Sequence, residues 1–538
     1  MLLLCFYINV LFVFMKKIGL FLLGLVVAMS GTAKEVSQSE ASAVAIRLMQ
    51  QKDISVESVK SIMPVYNSGV KAYYVINFAP QGWALISADD MSNPLIGYSE
   101  KSEYQITRVP DNAKMWLEEY GKQVVENSKL NGIQARGWIE TETIEPMAVS
   151  VGKIEPIISV YWNQGSPYNK YCPSNSSGTA VVGCVAVSMA QAMSVAQYPE
   201  RPNGYCAYVS SNFGDVACNY DAEPTYNWSN ILSGANGKDD VARLLWHCGV
   251  SVKMDYGIDG SGTQNSYIVN ALKTYFSYPN SVTYYSRDAI NSNTTWKDLI
   301  LTELSEGRAI CYSGADLTKG YGHAFNLDGY DGSAYFHINW GWGGYGDGWF
   351  TIDNLQDSQI GANYTAQHGM VIGIRAPSEN PTDITLSNTS VSENQPTGTI
   401  VGEVTVVSEA SNPSYTYKVQ GKKTLFGYAK VPFEVVDGNL VTTEVISASD
   451  YADSVTGATS CSVTIIATNT VSGASVSRTF TIEIKPSAGI DDVIYNDNSP
   501  AEYYNLHGVR INNTDLTPGI YVKRQGNKFS KVLINANI

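Results

Sequence analysis

The stretch APSENPTD, residues 376–383, separates two kinds of chain that do not share one fold pattern. Before it the sequence is rich in aromatic residues and glycine. After it come Thr/Val/Ser-rich runs such as TIVGEVTVV, SCSVTIIATNT and SRTFTIEI, spaced by turn residues, the pattern of an all-β sandwich. At 538 residues the chain is also too long for a single core, and its length predicts three or four domains.

The patterns divide the chain further. Residues 1–33 read as an export signal: Met15-Lys16-Lys17 supplies a basic start, Ile18 to Met29 is uncharged and apolar, and Gly31-Thr32-Ala33 resembles a cleavage site. On this reading the true start is Met15. Residues 34–147 open with a helical pattern, in which Ala41, Val44, Ala45, Leu48 and Met49 recur at helix spacing. Two strands then follow, AYYVINFA and GWALISAD, joined at Pro80-Gln81-Gly82, and a second helix around Met115 to Val125. A small domain followed by the loosely patterned Asn131 to Met147 suits a removable propeptide. Residues 148–376 hold the candidate chemistry, residues 377–486 the sandwich, and residues 487–538 a short β-rich module.

The formal net charge of −14 argues against a nucleic-acid partner and for an acidic exported protein. Among the cysteines no CxxC pair occurs, so neither a metal knuckle nor any cofactor is expected. Cys206 and Cys218 form the best local disulfide candidate, against the alternative of buried free thiols. In the sandwich, Glu393 and Asp450 lack the clustered acidic partners that an obligatory calcium site needs.

The chemistry centres on Cys184. Val185, Met189, Ala192, Met193 and Ala196 recur behind it at helix spacing, and Gly183 permits the turn that leads in. A thiol at a helix N-terminus is favoured as the thiolate, the form that attacks. It needs a base, and the chain offers only 5 histidines. His323 stands in a glycine setting, just after Gly320 and Gly322, and leads into the alternating strand AFNLDGY. A two-residue hairpin at Asp331-Gly332 sets His323 opposite Trp340 with Asn339 beside it. An amide can then fix the imidazole tautomer while an indole shields that bond from water. His337 and His368 are rival bases, and each has the alternative of a packed core histidine. His247, in the helical stretch ARLLWHCGV, has no orienting group in view, and His507 lies in the C-terminal unit. Gln164 in YWNQGSPYN supplies a candidate oxyanion donor together with the Cys184 backbone N–H.

Four motifs in this order, YWNQGSPYN, VGCVAVSMAQAM, GHAFNLDGYDG and HINWGWGGYGDGWF, resemble the streptopain family of cysteine peptidases. The segment YYVINFAPQGWALISADDMSNPLIGYS is similar to that family's propeptide. The resemblance implies an α+β chain: a papain-like catalytic domain preceded by an α+β propeptide that inhibits it and followed here by all-β modules. It implies endopeptidase activity through a Cys-His dyad, often favouring a hydrophobic residue one position before the cleaved residue. Carried over by motif, Cys184 is the nucleophile, His323 the base, Gln164 an oxyanion donor, Trp340 the ring near His323 and Asn339 the orienter.

Beyond the catalytic motifs, DITLSNTSVSENQPTGTIVGEVTV is similar to the opening of cadherin-like sandwiches. YYNLHGVRI with GIYVKRQGNKFSKVLI resembles the C-terminal secretion or surface-sorting modules of Bacteroidetes exoproteins, which implies secretion machinery as a partner. The expected function is a secreted or cell-surface endopeptidase made as a zymogen, acting on proteins or peptides through a thioester. The alternative is a surface adhesion protein whose peptidase-like domain is inert, and a transglutaminase or amidase using the same dyad is a third reading.

Overall fold

The computed structural model describes residues 34–109, 111–130, 134–135, 137–138, 151–233, 238–290, 292–316, 321–353, 368–410, 413–425, 427–486, 500–526 and 528–534. The export signal and most of the expected cleavage region lie outside these residues. Contacts divide the chain into two units, Met1–Pro377 and Ser378–Ile538. Among the described residues no helix is long and apolar enough to cross a membrane.

The first unit opens with helix α1, Gln38–Gln51, fixed by a capping box in which Ser37 and Glu40 satisfy each other's backbone N–H groups. Strands β1 (Ser58–Asn67), β2 (Val70–Ala79), β3 (Trp83–Ser87) and β4 (Leu95–Ser99) follow, then helix α2, Asp111–Asn127. The expected β2–β3 hairpin is present, with Asn77 facing Trp83. β1 carries Pro64 and has no clean polar–apolar alternation, so the sequence gives no strand signal for it. The sheet is covered on both faces. Ala41, Ala45, Leu48 and Met49 of α1 pack against Tyr74, Ile76, Phe78 and Ile86, while Trp116, Leu117, Tyr120 and Val124 of α2 pack against Val75, Trp83 and Leu85.

Within residues 148–376 a short strand pair, 174–175 with 178–179, comes first, then helix α3, Cys184–Ala196, the hairpin β5 (Tyr205–Ser210) and β6 (Gly214–Asn219), a short helix at 228–232, and helices α4 (Lys238–Ser251) and α5 (Tyr267–Tyr275). Strand β7 (Thr283–Ser286), helix α6 (Asn293–Ser305) and strands β8 (Ile310–Asp316), β9 (Tyr321–Tyr330), β10 (Phe336–Asn339), β11 (Gly348–Phe350) and β12 (Gly369–Ile372) complete it.

Propeptide and catalytic strands form one ten-stranded sheet, in the order β1-β2-β3-β4-β11-β10-β9-β8-β12-β7. The join is β4 against β11, antiparallel, with Trp349 facing Tyr98 and Phe350 facing Gly97. Glycines make this approach possible. A Cβ on Gly97 would lie 2.4 Å from Phe350 Cδ1, and one on Gly348 would lie 2.7 Å from the Tyr98 carbonyl oxygen. Beside the join, the Lys52 ammonium sits 2.6 Å from Asp331 Oδ2, and Tyr98 donates its hydroxyl to the same oxygen at 2.9 Å.

The second unit holds two four-stranded sheets, one of 383–386, 400–407, 439–442 and 433–436, the other of 390–392, 475–485, 460–469 and 415–420. Ile384, Leu440, Val463, Ile465, Ile482 and Ile484 are buried in one cluster that draws on both sheets, as the alternating runs require. Glu393 Oε2 accepts the Ala448 N–H at 2.9 Å. The C-terminal strands 502–504, 510–511, 519–525 and 528–534 form a separate small sheet.

Candidate active site

Cys184 is the first residue of α3, as the helix pattern predicts, and Gly183 before it has φ +91°. Only glycine fits there: a Cβ would lie 2.6 Å from Met254 Cε. The incoming strand is clamped, because Val182 N–H donates to the Gln164 carbonyl at 3.0 Å. The loop that carries Gln164 is therefore docked two residues ahead of the thiol, and Gln164 itself is buried. The Cys184 Sγ accepts the Ala324 N–H at 3.5 Å, from the residue next to His323. Burial pushes the thiol above its ordinary value, while the N–H groups of Ala324, Val185 and Cys184 itself pull the other way without cancelling it.

His323 lies on β9, half-buried, paired with Gly314 of β8. The expected hairpin register is corrected here. Asn326, not His323, faces the β10 end at Asn339, and Leu327 faces Ile338. Two features lengthen the turn. The Asp331 carboxylate accepts the N–H groups of Ser333, Ala334 and Tyr335, and a register shift between Leu327 and Gly329 leaves Asp328 as an extra residue on β9.

The corrected register brings buried amides together. Asn326 Nδ2 donates to Gln191 Oε1 at 2.9 Å, and Gln191 Nε2 donates to Asn339 Oδ1 at 3.1 Å. Asn339 Oδ1 also accepts the Gly341 N–H at 3.0 Å, and its Nδ2 donates to the Val160 carbonyl at 3.3 Å. Ser188 Oγ donates to Asn326 Oδ1 at 3.0 Å. Ser188 and Gln191 stand on α3, one and two turns behind Cys184, so this network fixes the thiol's helix to the strand that carries His323. Pattern reading missed both residues, because they sit in a helix buried on every side; two polar side chains in so apolar a helix were the available signal.

Trp340 is buried, with its backbone N–H donating to Asp347 Oδ1 at 2.9 Å, its indole N–H donating to the Gly346 carbonyl at 3.1 Å, and its ring 4.8 Å from the Phe325 ring. From the propeptide, Trp116 reaches the same place: its ring lies 6.5 Å from Trp340, 5.2 Å from Phe325 and 4.7 Å from His368.

Each rival histidine has another commitment. His337 Nδ1 lies 2.6 Å from Asp328 Oδ1; burial lowers its pKa but the Asp328 carboxylate outweighs that and holds it raised. Asp347 nearby is pushed by burial up to about 7. His368 Nδ1 pairs with the Tyr312 hydroxyl at 2.8 Å, and burial pushes its pKa down to about 3. His247 Nδ1 pairs with Tyr226 at 2.7 Å and is likewise pushed down to about 3 by burial. His507 lies in the other unit. Cys206 and Cys218 face one another across the β5–β6 hairpin, but both are free thiols, so the local disulfide candidate gives way to its alternative.

Residues 162–350 match the Peptidase C10 family, and residues 33–124 match the family of the Spi protease inhibitor. Streptopain of Streptococcus pyogenes is 32% identical over 330 residues, which is 56% of this chain and 80% of that protein. The thiol protease/hemagglutinin PrtT of Porphyromonas gingivalis is 31% identical over 350 residues, which is 60% of this chain but 38% of that relative's length. A solved fragment of Prevotella intermedia prointerpain A superposes with a TM-score of 0.50 at 27% identity, over 59% of this chain and 99% of the fragment.

Proposed function

Because the chain belongs to the streptopain family of cysteine peptidases, the Peptidase C10 family, we propose that it leaves the cell as an inactive precursor and then cleaves proteins outside the cytoplasm. Export rests on the N-terminal signal pattern. The observation that carries the chemistry is the thiol at the head of α3, touching the N–H beside His323 and tied to that strand by buried amides.

In this reading Cys184 and His323 form the dyad once the propeptide departs. The Cys184 sulfur attacks the scissile carbonyl, and its proton passes to His323. The tetrahedral oxyanion accepts hydrogen bonds from the Cys184 N–H and the Gln164 side-chain amide. His323 then protonates the leaving amine, the C–N bond breaks, and a thioester remains. Water, deprotonated by His323, attacks the thioester and releases Cys184. Trp340 shields the imidazole side of the site. Asn339 acts through the amide network, since its oxygen already accepts two bonds in the propeptide-bound form.

The propeptide is the intramolecular inhibitor, with Trp116 seated against Trp340 and Phe325. Cleavage between about Asn131 and Ser150 frees the enzyme, and residues 377–538 deliver or anchor it by way of the sandwich and the sorting-like module. The test compares matured variants on casein: His323→Ala loses activity entirely while His337→Gln retains a measurable rate. The reverse ranking reassigns the base, and efficient self-processing by Cys184→Ala removes Cys184 from the mechanism.

A further inference from the structure

Away from the thiol of α3, three side chains from separate elements converge at the base of the β5–β6 hairpin. Cys218 is the penultimate residue of β6, Glu223 follows a short turn at 220–222, and His247 lies in the C-terminal half of α4. The sulfur, a carboxylate oxygen and an imidazole nitrogen lie within 4.8 Å of one another. We propose that Cys218, Glu223 and His247 form a binding site for one divalent transition-metal ion of the zinc class.

The orientation of His247 is the strongest argument. The residue has 0% exposure, and its Nε2 has no hydrogen-bond partner, although Glu223 Oε2 lies 3.3 Å away. An imidazole nitrogen without a partner in so dry a place is a cost unless something else engages it. Its other nitrogen, Nδ1, is held by the Tyr226 hydroxyl at 2.7 Å. With Nδ1 as the N–H that the Tyr226 oxygen accepts, the Nε2 lone pair is turned to the ion, the orientation a metal-bound histidine needs.

The spacing also fits. Two nitrogen or oxygen ligands on a tetrahedral ion, with bonds of about 2.0–2.1 Å, stand about 3.3 Å apart, which is the separation between His247 Nε2 and Glu223 Oε2. A thiolate, a carboxylate and a neutral imidazole carry two negative charges between them, which a divalent cation cancels. The mixed sulfur, nitrogen and oxygen set suits zinc or cobalt rather than calcium or magnesium. Glu223 is 26% exposed in its side chain, so ion entry and a water in the fourth position come from that side.

The consequence is structural. β5 and β6 form an isolated two-stranded sheet, a unit that is marginal without further ties. An ion held by β6, the turn and α4 ties the hairpin to the helix. The cross-strand neighbour Cys206 supplies the competing chemistry, a disulfide with Cys218 that removes the thiolate.

The test uses the full-length precursor carrying Cys184→Ala, which removes the nucleophile thiol as a competing metal ligand. After dialysis against zinc and then metal-free buffer, elemental analysis is expected to find about one zinc per chain. Cobalt in its place is expected to give a thiolate-to-metal absorption band. Cys218→Ser abolishes that band, and Glu223→Gln, at a partly exposed position that folding tolerates, weakens zinc binding by about tenfold or more. Chelation lowers the melting temperature of the parent and not of Cys218→Ser. Absence of retained metal, retention unchanged by both substitutions, or a Cys206–Cys218 disulfide in the purified protein would overturn the proposal.

Discussion

The two joints that meet at the candidate site are built in opposite ways. Helix α3 is tied to β9 and β10 by a closed set of buried amides, Gln191, Asn326 and Asn339, each satisfied by the others or by backbone. The propeptide is tied to the same sheet by a short strand join, one buried ion pair, the Trp116 ring, shared apolar clusters and two buried hydroxyls, Tyr120 donating to the Thr351 carbonyl and Tyr335 to the Leu95 carbonyl. A saturated amide network cannot be opened without stranding several polar groups, so it suits a permanent joint. A short join with an apolar plug keeps its parts soluble and paired only while both are present, so it suits a joint that is cut and released.

Breaking the permanent joint has the largest expected effect. Gln191→Leu leaves Asn326 and Asn339 with unmet hydrogen bonds at full burial, at about 1–3 kcal/mol for each stranded group. The melting temperature of the precursor should fall by several degrees, and the little enzyme that matures should show a lower kcat. If calorimetry finds Gln191→Leu as stable as the parent, the network is not what holds the helix.

Trp116→Ala acts on the removable joint at a comparable cost, about 3–5 kcal/mol for a buried indole, but the loss falls on docking. The isolated 148–376 segment should be no less stable, while the precursor should become faster to mature and more readily alkylated at Cys184. Gly97→Ala is a smaller perturbation of the same joint. The added methyl meets Phe350 across the β4–β11 join, and limited proteolysis should show the propeptide opening ahead of the catalytic strands.

The smallest effect is that of acid. Burial pushes the Asp331 carboxyl up, but Lys52 and the N–H groups of Ser333 and Tyr335 outweigh it and hold it below its ordinary value. Of these partners only Lys52 comes from the propeptide, and its ion pair with Asp331 needs the carboxylate, so that tie is lost as acid protonates it. Propeptide release, followed by fluorescence, should therefore speed up below pH 4, and Asp331→Asn should flatten that dependence.

The placement of Cys184 was legible because a helix pattern and a leading glycine are local signals. The α1 and α2 helices and the β2–β3 hairpin were legible for the same reason. The partner strand was legible in kind but not in register: the bulge at Asp328 and the carboxylate-bound turn at Asp331 depend on side-chain hydrogen bonds that a dipeptide rule does not carry. The join through Gly97 and Gly348 could not be read at all, since each glycine is required by a residue more than 240 positions away. The cluster at Cys218, Glu223 and His247 has no motif spacing for the same reason, because three separate elements build it.

The most direct measurement is the rate and position of alkylation by iodoacetamide before and after maturation. The precursor should react slowly at neutral pH, because burial pushes the Cys184 thiol above its ordinary value and the propeptide is still in place. The matured enzyme should react quickly, lose its peptidase activity in step with labelling, and carry the label on Cys184 by mass spectrometry. Full inactivation with the label on any other cysteine would contradict the account.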